Sequence, residues 1–352
     1  MNSVLIPHPA ETAALFGHED ALERFRRARA RGRMPHAWAL SGAGGIGKAT
    51  LAWHMAREWL APEAERGRCH DPESPLFRQL RERAHPELQV LDLESQASAR
   101  AREIPVAAVR DLVARLHRTG YGGRRVVLID AADDLNRHAA NALLKVLEEP
   151  PPGTLFLLVC HEPAAIPATI LSRCLRLPLR PLGNAELMRA LEQMAPDLDP
   201  EARRRLAAVA GGRLGHALRL ARAGFLDLYA RLLDQLAAKH AASALEAAAA
   251  LAPLARDWGI AFALTVPQEI LRRAVRLGLG LPLEPELTAG EAAKLAAILR
   301  RLPLEEAAGL WEKFLALARQ TESLHLDPEH SLVVALATIR GDATADALGR
   351  EF

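Results

Sequence analysis

Ten residues, "SGAGGIGKAT" (41–50), carry the clearest chemical pattern in this chain of 352. Gly42, Gly47 and Lys48 stand at the spacing of a phosphate-binding loop, G-x-x-x-x-G-K-[ST], with Gly45 between them. In such a loop the glycines let the backbone curl until its N–H groups face phosphate oxygens. The next helix adds the positive end of its dipole, and the lysine supplies a point charge. The hydroxyl that should follow the lysine and ligate magnesium is missing, because that position holds Ala49. Thr50 comes one residue later, rotated by roughly 100° around a helix, a poor direction for the same ligand.

Two further stretches bear on the same chemistry. "VVLIDAADDLN" (126–136) is an apolar strand ending in Asp130, which could hold magnesium through water. The glutamate that would orient an attacking water next to it is replaced by Ala131. Asp133 and Asp134 read as turn and N-cap acids of the helix that follows. The candidate nucleotide site is therefore Gly42, Gly45, Gly47, Lys48, Thr50 and Asp130, with ATP or ADP as the ligand and weak support for magnesium. "PATILSRCLRL" (167–177) places Arg173 between a helix and a strand, where an arginine taken alone is usually a solvated surface residue.

The elements around these residues alternate. An apolar run at 36–41 precedes the glycine loop, and "KATLAWHMAREWLA" has helical periodicity. Strand patterns follow at 87–94, 124–130 and 153–160, with a last one in "CLRLPL". Amphipathic helices separate them at 103–119, with Pro105 near the first turn, and at 136–149, stopped by Pro150, Pro151 and Pro152. The pattern predicts an α/β, RecA-like domain with a parallel sheet covered on both faces. It changes at "RLPLRPLG" (176–183), beyond which the periodicity is helical to about residue 341. Three domains are expected: 1–178, a helical lid over 179–225, and an all-α domain over 226–352 whose last ten residues fray.

Composition sets outer bounds. A net charge of +2 excludes a polyanion-binding tail. No apolar run approaches 18 residues, so no membrane helix is expected, and the first residues lack the pattern of a secretory signal. Three scattered cysteines fit a reducing cytoplasm. Trp38, Trp53 and Trp59 read as packing residues.

With the loop, "IDAADDLN", "NALLKVLEEPP" (141–151) and "ILSRC" (170–174) together, the chain resembles the clamp-loader branch of the AAA+ proteins, in particular its delta-prime family in bacterial DNA polymerase III. The resemblance implies an α-helical collar after the lid and a stator role in a heteropentamer that loads the sliding clamp on primer-template DNA. Its implied partners are gamma/tau motor subunits and a delta subunit, in the cytoplasm at the replisome. It also implies that Arg173, in the SRC motif, is an arginine finger acting in trans on a neighbour's γ-phosphate. "LFGHEDALERF" (15–25) matches a segment flanking the adenine pocket. "GGRLGHAL" (211–218) matches the sensor-2 position, where motor subunits carry arginine and this chain has Gly215. Cys160 and His161 stand where motor subunits have a polar sensor 1.

Many such relatives carry a four-cysteine zinc module between the loop helix and the second strand. Here residues 65–88 offer Cys69, His70 and His85 without a C-x-x-C pair, so no zinc is expected. Two rival functions are an ATP-hydrolysing motor subunit of the same loader and a nucleotide-gated interaction protein outside replication. Ala49, Ala131 and Gly215 weigh against the first, and the "NALLKVLEEPP"–"SRC" pair against the second.

Overall fold

The computed structural model describes residues 4–93, 95, 103–116, 123–238 and 244–341. The end of the expected helix at 117–119 and the last ten residues lie outside them. The chain divides into two compact units, one formed by Leu5–Met194 with Ala210–His216, the other by Met1–Val4, Ala195–Val209 and Ala217–Phe352.

The first unit opens with α1 (Glu19–Ala30), β1 (Ala37–Ser41), α2 (Lys48–Leu60) and α3 (Pro75–Arg81). It continues through β2 (Leu88–Asp92), α4 (Val106–Leu116), β3 (Arg125–Asp130), α5 (Arg137–Glu148) and β4 (Thr154–Cys160). The one-turn helix α6 (Ala168–Leu171), β5 (Leu175–Pro178) and α7 (Asn184–Met194) follow. The five strands form one parallel sheet in the order β2-β3-β4-β1-β5. Strands with neighbours on both sides and helices on both faces must be apolar throughout. β4, "TLFLLVC", is buried at every residue for that reason.

The pleat sends alternate residues to opposite layers. Trp38, Leu40, Val126 and Leu128 pack with Leu51, Trp53 and Met55 of α2 on one face. Ala37, Ala39, Val127 and Ile129 pack with Leu112 of α4 and Leu143 and Leu147 of α5 on the other. Trp38 and Trp53 are core residues. Trp59, half-buried, has the guanidinium groups of Arg29 at 5.8 Å and Arg124 at 5.3 Å from its ring centre.

The second unit is helical in its described residues. It contains most of α8 (Pro200–Ala210) and of α9 (Leu214–Arg222), and then α10 (Phe225–Ala237), α11 (Ala244–Trp258), α12 (Ile260–Ala263) and α13 (Thr265–Gly278). The last three are α14 (Glu291–Leu299), α15 (Leu304–Ser323) and α16 (Pro328–Arg340). Among the described residues no helix is long and apolar enough to cross a membrane.

Candidate nucleotide loop and arginine site

β1 lies between β4 and β5, so the chain leaving its C-terminal end enters the crevice where parallel α/β sheets bind ligands. The glycine loop occupies that place. Gly42 has φ 148°, and a Cβ there would stand 2.6 Å from the Leu179 carbonyl oxygen and 2.8 Å from Ile46 Cδ1, so only glycine fits. Gly45 and Gly47 also have positive φ, and Gly47 is the N-cap of α2. Lys48, the first residue of α2, is almost fully buried, and its Nζ donates to the carbonyls of Gly42 and Ala43 at 2.7 Å each. Burial brings its pKa down to about 8, against the opposing pull of Asp133 and Asp130. The ammonium group is thus held by the loop itself, close to the end of β3.

The neighbouring positions explain what the loop can and cannot do. Ala49 packs against the hydrophobic core beneath α2, so its methyl group is part of the packing and offers no ligand. Thr50 is half-buried one residue further along α2. Asp130 ends β3, in register with Asp92 on β2 and Val159 on β4. The Cys160 thiol is fully buried, and its pKa is pushed up to about 12 by burial and by Asp133. The thiol therefore stays neutral at the end of β4. Gly215 N–H donates to the Gly45 carbonyl at 2.8 Å, and a Cβ at 215 would lie 3.3 Å from Gly45 Cα. Gly215 therefore meets the loop backbone to backbone.

Asp133 and Asp134 lie in a one-turn 3-10 helix, as the turn reading expects, but neither caps α5. The N-cap of α5 is Asn136, whose Oδ1 accepts from Ala139 N–H at 2.9 Å. Asp133 instead accepts from the amides of His161, at 2.8 and 3.0 Å, and of Glu162, at 3.2 Å, and so caps the chain leaving β4. The two roles look alike in sequence, because an acid four residues before a helix can reach either way. His18, within the segment at 15–25, is buried with Nε2 at 2.7 Å from the Ile46 carbonyl oxygen, and so braces the glycine loop from α1's N-terminal side.

Arg173 lies at the opposite end of the strands from this loop. β5 runs parallel to β1, with Trp38 opposite Leu175 and Ser41 opposite Pro178. The loop leaves the C-terminal end of β1, whereas Arg173 precedes the N-terminal end of β5. The four residues of β5 alone separate the two levels by roughly 10 Å. Arg173 Nη1 donates to the Thr169 carbonyl at 2.8 Å and to Ser172 Oγ at 3.3 Å, and Nη2 donates to Glu148 at the end of α5. The chain's own loop and Arg173 are thus not brought together.

Among the described residues no group of three or more His, Cys, Asp or Glu side chains could hold a metal ion. Cys69 is buried, while His70 stacks on His54 at 4.3 Å and meets Glu58 Oε1 at 3.2 Å. His54 is buried on α2, and its pKa is brought down to about 3, first by burial and then by His70 and Arg57. It stays neutral in the folded chain while the unfolded chain takes up a proton near pH 6.5. The stability this neutral histidine preserves is present above pH 6.5 and is lost as pH falls toward 3. A loss of roughly 2 kcal/mol is expected between pH 6.5 and 4.5. Thermal unfolding across that range checks it, and His54→Leu should flatten the slope; an unchanged slope would remove His54 as the cause.

A parallel sheet in this strand order, with a glycine loop between β1 and α2 and an acid at the end of β3, has the architecture of a P-loop α/β domain of the AAA+ type. The family model described as "DNA polymerase III, delta subunit" matches residues 17–183. DNA polymerase III subunit delta' of Pseudomonas aeruginosa is 36% identical over 230 residues, covering 65% of this chain and 67% of the relative. DNA polymerase III subunit tau of Escherichia coli K12 is 33% identical over 224 residues, 60% of this chain but only 32% of the longer tau. A gamma subunit-related protein of Thermotoga maritima superposes with a TM-score of 0.42 at 16% identity, covering 91% of this chain and 98% of that one. The chain belongs to the DNA polymerase III delta' family of clamp-loader subunits.

Proposed function

We propose that this chain is the stator of a clamp loader: it supports ATP-dependent loading of the sliding clamp on primer-template DNA and offers Arg173 in trans to the nucleotide of a neighbouring motor subunit. The observation that carries this is the placement of the two sites at opposite ends of the sheet, with the loop after β1 and Arg173 before β5. An arginine so placed can act on a phosphate only if another subunit brings one to it. The glycine cradle suits a phosphate, so ATP or ADP is a plausible ligand of Gly42, Gly45, Gly47 and Lys48. The magnesium set does not fit equally well, because Ala49 is committed to the core, leaving Asp130 and the displaced Thr50. Gly215 and Ala131 remove the arginine and the glutamate that a motor subunit would use.

The proposed partners are gamma/tau-type motor subunits and a delta subunit, with the clamp and DNA reached through the assembly. The region 179–225 would serve as lid and 226–352 as collar.

Steady-state ATP hydrolysis by the purified chain with magnesium, against Lys48→Ala, tests the loss of its own chemistry. Wild type and variant are expected to be equal at background. Turnover that Lys48→Ala abolishes would mean that Thr50 or Asp130 completes the site, and the chain would then be a motor subunit.

A further inference from the structure

Arg173 is held by a carboxylate from a different element. Its Nη2 pairs with Glu148, the last residue of α5, and its Nη1 donates to the Thr169 carbonyl and Ser172 Oγ. Both terminal nitrogens of the guanidinium are therefore directed, one by α6 and its C-cap just before the arginine and one by the end of α5. An arginine side chain free in solvent samples many rotamers, and a group that must meet a transferring phosphate gains from losing that freedom beforehand.

Glu148 is an odd choice for structure alone. It ends a helix, where the dipole disfavours a carboxylate and favours a cation. It is half exposed, so no buried charge on the protein requires it. The next residues, Glu149 and Pro150, terminate α5 without its help, since the Glu149 amide donates to the Lys145 carbonyl. A residue that breaks a local preference with no local compensation points to a use elsewhere. What Glu148 touches is Arg173.

We propose that Glu148 is the positioning residue for Arg173, fixing the direction in which the guanidinium leaves the β5 edge of the sheet toward a neighbouring subunit's phosphate. The proposal rests on the reading of Arg173 as a finger. Glu148 itself stays behind the guanidinium and touches no substrate. Its Oε1 engages Nη2 alone and leaves Nε and the second Nη2 hydrogen for an incoming phosphate.

The test uses the reconstituted loader, with ATP as the substrate, and follows hydrolysis at the site that faces this chain. Glu148→Gln keeps the shape and removes the charge; it is expected to lower kcat about tenfold while KM for ATP stays within about twofold. Glu148→Asp should retain most of the rate. Combined with Arg173→Ala, Glu148→Gln should add nothing, because a positioning group has no effect once the group it positions is gone. A merely structural ion pair would lower the melting temperature of the isolated chain without this split in kcat and KM. If Glu148→Gln matches wild type while Arg173→Ala does not, the finger stands and Glu148 is idle. If Arg173→Ala also matches wild type, the finger reading fails first and the proposal falls with it.

Discussion

Arg173→Ala in the assembled loader is expected to slow hydrolysis at the facing motor site by about 10³-fold or more, the range in which arginine fingers act on phosphoryl transfer. The effect should fall on kcat, since the guanidinium matters where charge develops on the transferring phosphoryl group. The variant should fold normally, because Arg173 is partly exposed and its bonds are to Thr169, Ser172 and Glu148 at the surface. Arg173→Lys should recover little, because an ammonium is a point charge without the planar fork. Total turnover sums over every hydrolysing site in the assembly and so dilutes a loss confined to one of them. A single-turnover measurement with only the facing site competent is the proper readout. Wild-type rates at that site would withdraw Arg173 from the chemistry and leave the chain as a purely structural member.

The middle of the sheet was legible because its strands are continuous apolar runs, whereas the edge strand β5, "LRLP", buries only Leu177. "VVLI" and "LFLLV" can be apolar throughout only between neighbours and under helices on both faces, and they became β3 and β4. The glycine loop was legible because three glycines and a lysine at fixed spacing serve one geometry. The partners that hold the site were not legible. Asp133 could have capped α5 or the chain after β4, and only the fold decides which amides it reaches. Ala49 reads in sequence as a missing hydroxyl, and its positive role as a packing residue appears once α2 lies on the sheet. Glu148 sits 25 residues from Arg173, beyond the reach of any periodicity. The acid of "LEEPP" meets the arginine of "SRC" only because α5 and the α6–β5 turn end at the same edge.

The same limit applies to a buried network in the helical unit. Glu291→Ala is expected to cost about 3–5 kcal/mol, the loss seen when one partner of a buried ion pair is removed. Glu291 is the first residue of α14 and in sequence looks like a surface acid at a helix start. In the fold it is fully buried, and its carboxylate accepts four hydrogen bonds. Arg273 Nε and Tyr229 Oη donate to Oε1 at 2.6 and 2.5 Å, and Arg273 Nη2 and the Leu287 amide donate to Oε2 at 2.7 and 2.9 Å. Arg273 Nη2 also donates to the carbonyls of Leu283, at 2.9 Å, and Pro285, at 2.7 Å, so the pair fixes the loop between α13 and α14. Alanine would strand the Arg273 charge among buried groups and release that loop. Tyr229→Phe removes one of the four bonds and should cost less, about 1–2 kcal/mol. Denaturant unfolding measures both losses, and hydrogen exchange should place them in α13 and α14. Replacing both charges, as in Arg273→Met with Glu291→Leu, should recover much of the loss, because an apolar pair of similar volume needs no desolvation of charge. If that double variant is no more stable than Glu291→Ala, the loss comes from the geometry of the tethered loop and not from a stranded cation.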